Sequence, residues 1–369
     1  MKKRIKLNHS SLLSGKFVQV SLLVLLALLA FTSKSYCDMS SKQFQLSNLL
    51  KNSMLVAKGK IVQVTSGDNY YKMSFSVEDI LLGTINSNNI EVVSRFKNGF
   101  RLEDEPYLEE GNEYILFLNN TKGWWTITNR IAGVLSVNAA DDLKKVIQDY
   151  KLQENLFDKG NCRKLISLFD KVETEYIKNL LLLDIEENIT AKEVGFIKKM
   201  FDKSDSKSKI FGIRNAGKLK IKEMHEPIKD ALIAETNTEN NFEYLFALEN
   251  YADKNDAKIA AKYLNDKAQG IRSVAINVLR QIGTEEIIEL LINNYKVEPN
   301  WSNRIVILDA LKKFKNDDRV IKAVDDFLVW ENNVVVKNNL LTIAKNEWGV
   351  YENKNNIIDS NTLYLHCDN

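Results

Sequence analysis

A period of about 32 residues runs through the second half of this chain and restricts its fold more than any other feature. Residues 267–283, KAQGIRSVAINVLRQIG, set Ile271, Val274, Ala275, Val278, Leu279 and Ile282 at i, i+3, i+4, i+7, i+8 spacing, one stripe of an α-helix. The stripe returns before and after. Ala216, Leu248, Leu279 and Leu311 succeed one another at 248 − 216 = 32, 279 − 248 = 31 and 311 − 279 = 32, and Leu219, Tyr251, Ile282 and Phe314 share another position. Between them, Ile228, Ala260, Ile292 and Val324 each lie 32 apart, as do Ala231, Tyr263, Tyr295 and Phe327. Two registers with one period predict repeated helical hairpins, each burying its apolar side only against a near-copy of itself.

The run Gly270-Ile271-Arg272-Ser273-Val274-Ala275-Ile276-Asn277-Val278-Leu279-Arg280-Gln281-Ile282-Gly283 resembles the first helix of a HEAT repeat. Gly212-Ile213-Arg214-Asn215-Ala216-Gly217-Lys218-Leu219 is a fainter copy. The unit at 237–266 lacks the arginine, and Arg304 in the unit at 299–330 reads as out of phase, so these two rest on period alone. The resemblance covers about residues 206–351. It implies an α-solenoid that binds other macromolecules and, by itself, no reaction.

At the start of the chain Lys2, Lys3, Arg4 and Lys6 precede the apolar run 22–31, then Ser33, Ser35 and Cys37, the order of a secretory signal peptide. The expectation is a leader over 1–37 and a secreted or periplasmic product with no membrane span after cleavage, since a spanning helix needs about 20 apolar residues. The leader holds six cations and no acid through residue 35, so the mature chain carries +2 − 6 = −4. Residues 206–345 hold 22 Lys/Arg and 20 Asp/Glu, 22 − 20 = +2, which offers no basic face for a phosphate backbone. Nucleic acid is therefore not an expected partner. Three cysteines, Cys37, Cys162 and Cys367, make no disulfide framework; Cys162 and Cys367 read as unpaired thiols.

Residues 38–138 follow another rule. After a short helical pattern at 43–51, Tyr71, Met73, Phe75 and Val77 alternate with Lys72, Ser74, Ser76 and Glu78, the period of a half-buried strand. Further strands are expected at 54–64, 90–93, 113–118, 124–128 and 131–137. Short strands without interleaved helices favour a small antiparallel barrel or sandwich. Val56-Ala57-Lys58-Gly59-Lys60-Ile61-Val62-Gln63-Val64, Val77-Glu78-Asp79-Ile80-Leu81-Leu82-Gly83-Thr84 and Tyr114-Ile115-Leu116-Phe117-Leu118 are similar to the OB-fold netrin-like modules that include tissue inhibitors of metalloproteinases. Inhibition in that family implies an amino-terminal cysteine gripping the protease zinc; this chain lacks the paired cysteines, and the favoured cleavages do not leave Cys37 first.

Residues 139–204 carry helical stripes without the clean period and read as divergent or capping repeats, with HEAT-like repeats over 205–351 and a tail at 352–369. The expected class is thus α+β multidomain: a small OB-like antiparallel β-barrel followed by an α-α superhelix. No catalytic, cofactor or metal constellation emerges. His225 reads as part of a capping turn, with Pro227 at the first helical position. The segment 212–219 fits a phosphate-loop spacing until Leu219, which has no hydroxyl for Mg²⁺, and no strand precedes it.

Three surface features remain. Glu103, Asp104, Glu105, Glu109 and Glu110 form an acidic loop, read as solvated or as a cation or basic-partner contact; of Trp124 and Trp125, adjacent in a strand, one is expected inside and one exposed, as core or barrel-end packing or as a partner or glycan platform. The row Tyr263, Tyr295, Phe327 is either an internal ladder or a partner stripe. The functional expectation is an exported, non-catalytic protein-binding scaffold using Lys258, Lys262, Tyr263, Glu289, Asn293, Tyr295, Lys322, Asp326 and Phe327, with no cofactor. The alternative is an inhibitor or regulator of an extracellular protease acting through the β-domain.

Overall fold

The computed structural model describes residues 44–346 except 68–69, 96–105, 107, 154, 159 and 237. The leader, Cys37, most of the acidic loop, Cys367 and the tail lie outside these residues. The chain is α+β, a six-stranded sheet followed by helices, and divides into two compact units at Ile189/Thr190.

The first unit opens with α1 (Leu46–Lys51) and continues with β1 (Leu55–Gly67), β2 (Tyr70–Leu82), β3 (Asn89–Arg95), β4 (Glu113–Thr121), β5 (Trp124–Ile127) and β6 (Val134–Leu135). Strand order is β1-β2-β3-β5-β4-β6, and β1 also pairs with β4, so the first five strands form a closed circuit. Period-2 alternation in β2 sends Met73, Phe75 and Val77 inward against Leu55, Ala57, Ile61, Val92, Leu116 and Leu118. Two sequence expectations are corrected. The ring is not wholly antiparallel, because β3 meets β5 in parallel at Val92 and Trp125; β5 is fixed by its tight hairpin with β4, and its direction follows from that. The strand expected at 131–137 shrinks to two residues, since Asn129 and Arg130 adopt positive φ and a 3-10 turn takes up Arg130–Gly133.

Helices α2 (Ala140–Leu152), α3 (Cys162–Lys171) and α4 (Glu175–Asn188) belong to the same unit. Two buried acids knit its helices together. Asp142, in the first turn of α2, accepts the Glu173 and Thr174 backbone N–H groups at 2.7 and 2.5 Å ahead of α4, and Lys145 Nζ at 2.9 Å. Burial pushes this carboxyl up, but those bonds outweigh it and hold it well below the carboxylate range. Asp184 in α4 does the converse service for α1, accepting the backbone N–H of Ser47 at 3.1 Å and its hydroxyl.

The second unit is helical: α5 (Val194–Phe201), α6 (Ser206–Lys218), α7 (Lys222–Ala234), α8 (Thr238–Tyr251), α9 (Ala257–Lys262), α10 (Gln269–Ile282), α11 (Ile287–Val297), α12 (Trp301–Leu311), α13 (Asp318–Trp330) and α14 (Val334–Asn346). In one layer α6 packs on α8, α8 on α10, α10 on α12 and α12 on α14; α7, α9, α11 and α13 form the other, with α11 against α13. Ala216, Leu248, Leu279 and Leu311 are all fully buried, as the period requires of one shared position. The two layers bury the two stripes in alternation, one hairpin on the next.

The spacing Gly212 to Gly217 has a packing cause. A Cβ on Gly212 would lie 2.4 Å from the Phe201 nitrogen, and one on Gly217 would lie 2.6 Å from Ala247 Cα. Both mark helix crossings that admit no side chain, so the resemblance to a phosphate loop is accidental. We expect Gly217→Val to lower the stability of the helical unit by about 1–3 kcal/mol or more, because the obstructing atom is backbone. An unshifted urea midpoint would disprove the crossing.

Candidate functional site

The second layer, α7, α9, α11 and α13, turns one side to its sister helices and one to solvent. On the solvent side Lys258 and Lys262 (α9), Glu289 and Asn293 (α11), and Lys322 and Asp326 (α13) are i, i+4 pairs, each exposed. Arg319 Nη1 approaches Glu289 Oε1 at 4.0 Å, linking α13 to α11 at this surface. The polar members of the expected partner set therefore share an exposed layer.

The aromatic members do not share it, which corrects their assignment to a partner stripe. Tyr295 and Phe327 have no exposed surface; their rings stack at 3.9 Å between centroids with 20° between planes, and Trp330 meets both edge-on. Tyr263 is half-buried and donates its hydroxyl to the Leu232 carbonyl at 3.2 Å. The reason is helical geometry: residues 263, 295 and 327 each stand three after 260, 292 and 324, which are core, so both rows lie on one stripe.

At the turns of successive hairpins recurs a buried ion pair. Arg272 in α10 donates from Nε and Nη2 to the Glu298 carboxylate, both at 2.9 Å, and from Nη1 to the carbonyls of Asp266 and Lys267 at 2.9 and 3.2 Å. Arg304 in α12 repeats the arrangement on Glu331 at 2.9 and 3.1 Å and on the carbonyls of Glu298 and Pro299 at 2.9 and 3.3 Å. Since 304 − 272 = 32, Arg304 is in phase, correcting the reading that set it apart. Each guanidinium ties the end of a second helix to the turn that precedes a first helix, and Tyr295 closes the chain by donating to Glu331 at 2.9 Å. Burial pushes the Glu298 carboxyl up, yet the Arg272 fork and the Asn300 N–H outweigh it and keep it below the ordinary glutamate value. Subtraction alone would have found this ladder.

His225 is likewise corrected. It lies within α7, not in a cap, and Pro227 is the sixth residue of that helix, not the first. The imidazole Nε2 is 2.7 Å from Asp256 Oδ2, a carboxylate with no exposed surface on the following hairpin, and its ring lies tilted against Tyr251 with 4.6 Å between centroids. Tyr251 donates to the carbonyls of Ala216 and Ile221 at 3.0 and 2.8 Å. Burial raises the Asp256 carboxyl against the opposing effects of His225 and Lys229. A buried acid that orients an imidazole is a motif of proton-transfer sites as well as of cores. Here it bolts successive hairpins together, and the signal for it, a lone acid one hairpin beyond the histidine, is too weak to read from sequence.

In the first unit Trp124 is 42 % exposed while Trp125 packs on the core, as expected for neighbours in a strand. Of the acidic loop, Glu110 accepts the Val64 N–H at 2.6 Å and Glu109 the Asn112 amide at 3.0 Å, whereas Glu103, Asp104 and Glu105 lie outside the described residues. Among the described residues no three His, Cys, Asp or Glu side chains gather as metal ligands, and no helix is long and apolar enough to cross a membrane.

No family model matches the chain, and no curated protein does. Among solved structures it is similar to human deoxyhypusine hydroxylase in complex with glycerol, at 14% identity and a TM-score of 0.29, over 56% of this chain and 80% of that one. That neighbour bears the name of an enzyme, and the expectation of a non-catalytic chain is withdrawn. The likeness is too slight to assign this chain a reaction.

Proposed function

We propose that the second unit is a HEAT-like solenoid and that the chain, exported behind its amino-terminal leader, binds protein partners on the exposed second layer. The observation that carries this reading is the recurrence of one packing solution a full repeat later, Arg272 with Glu298 and Arg304 with Glu331, in an array whose second layer keeps its i, i+4 pairs exposed. Hairpins locked from within leave the outer side unconstrained by folding, and such stacked arrays use that side for extended contacts. Charges of both signs, Lys258, Lys262 and Lys322 against Glu289 and Asp326, fit a protein surface of mixed charge better than a polyanion.

A photo-crosslinking amino acid placed at Lys262, Asn293 or Lys322 should capture one common partner from an envelope or secretome extract. The same probe at Gln281, exposed on the first layer, should not. Reversing Lys258, Lys262 and Lys322 to glutamate should abolish the capture while the circular dichroism stays unchanged. Capture that is equal from both layers, or indifferent to the reversals, would refute the reading, and amino-terminal sequencing of the mature protein tests export.

A further inference from the structure

The outward face of β2, β3 and β5 departs from the usual polar exterior of a small sheet. Register places Lys72 opposite Val93 and Tyr70 opposite Arg95, and Val92 beside Trp125, so the pleat brings Tyr70, Lys72, Val93 and Trp124 to one outer side. Val93 is apolar and only 7 % exposed although it points away from the core. It forms the floor of a recess of about 260 Å³ walled by Tyr70, Lys72 and Trp124. The two rings above it are each 42 % exposed, a burden that folding alone does not explain.

The charges narrow what fits. Lys72 Nζ lies 5.9 Å from the Trp124 ring centroid and is paired with Glu91 across the strands. A cationic ligand would find the indole's attraction for positive charge already occupied. A phosphate would find the lysine of the recess already paired with Glu91. What suits two open aromatic rings and a neutral donor–acceptor pair is an uncharged ring with an apolar C–H face and a rim of hydroxyls. The volume falls just below the roughly 300 Å³ at which sites for drug-sized ligands begin, which points to one ring held at a time.

We infer that this recess is a carbohydrate-binding site, taking a single pyranose unit of a neutral glycan between Tyr70 and Trp124, with Lys72, held by Glu91, reading its hydroxyls. The site belongs to the first unit and is independent of the partner-binding reading of the helical one.

The test uses the full chain and two neutral probes, cellotetraose and chitotetraose, titrated calorimetrically and by intrinsic fluorescence. At least one should bind, with the affinity falling about tenfold in Trp124→Ala, the scale of one lost aromatic wall. Tyr70→Ala should weaken binding similarly, which keeps the test sound if the tryptophan variant is poorly folded. Trp330→Ala, in the helical unit, should bind as the parent does. Binding of neither sugar by the parent chain, equal binding by both aromatic variants and the parent, or preference for a short oligothymidylate over both sugars would overturn the inference.

Discussion

Replacing Arg272 with alanine should cost the helical unit about 3–5 kcal/mol, the penalty for leaving a buried charge without its partner. The Glu298 side chain has no exposed surface and that of Arg272 only 10 %. The fork and the two carbonyl bonds all converge on one guanidinium, so no neighbour takes over its work. A second measurement separates this cause from loss of side-chain bulk. In the parent chain Glu298 sits below its ordinary pKa, so its stabilisation is present above the unfolded glutamate value, about 4.3, and is lost as pH falls through the folded one. Without Arg272 only the Asn300 N–H and the Asn303 side chain still oppose burial, so the carboxyl should rise. The deficit of Arg272→Ala should therefore be largest near neutral pH and shrink towards the glutamate range, where Glu298 takes up a proton. The pair Arg272→Met with Glu298→Gln should recover most of the loss at neutral pH, since the amide keeps an acceptor for the Asn300 N–H without a charge. Urea titrations followed by circular dichroism read all three. A deficit under about 1 kcal/mol, the scale of an exposed pair, or one independent of pH, would show the pair to be screened and the ladder to be incidental.

How much of this was legible in the sequence depends on the range of the cause. The hairpins were, because burial of a stripe is a local periodic demand, and four residues such as Ala216, Leu248, Leu279 and Leu311 report it independently. The strand at Tyr71–Val77 was legible for the same reason at period 2. The placement of Tyr295 and Phe327 inside was available too: membership in the repeat stripe and membership in an exposed partner row are competing claims on one helix face, and core packing takes precedence. What escaped were features whose partners are far apart and not periodic. The His225–Asp256 bond joins two hairpins with nothing in either neighbourhood to announce it. Pro227 misled because a proline marks a first turn more often than an interior. The parallel contact of β3 with β5 is a property of ring closure, invisible to either strand alone. The polar face of the second layer was readable as exposed, but exposure alone does not specify what binds there.

A second large effect is expected in the first unit, where Asp184 should make stability depend on pH in the direction opposite to Glu298. Burial pushes its carboxyl up to about 7, against the opposing bonds from the Ser47 hydroxyl and the amides at the start of α1, and Glu187 adds to the rise. A carboxyl raised in the folded state binds its proton more tightly there than in the unfolded chain. Its contribution is fully present below the unfolded value, about 4, and is lost as pH climbs to about 7, by up to about 4 kcal/mol. The competing physics is also present. The carboxylate accepts from the first turn of α1, and a helix amino terminus favours negative charge there. Burial dominates because Asp184 is only 3 % exposed and α1 is six residues long, too short to supply a large dipole. Asp184→Asn decides between the two, because asparagine retains an acceptor for Ser47 while removing the ionisation. Hydrogen exchange across α1 and α4 should show the parent losing protection from pH 5 to pH 8, after correction for intrinsic rates, and the variant holding level and better protected at pH 8. If the variant is instead the weaker at pH 8 and equal at pH 5, the ionised cap stabilises α1 and the acid works as an anchor for that helix at every physiological pH.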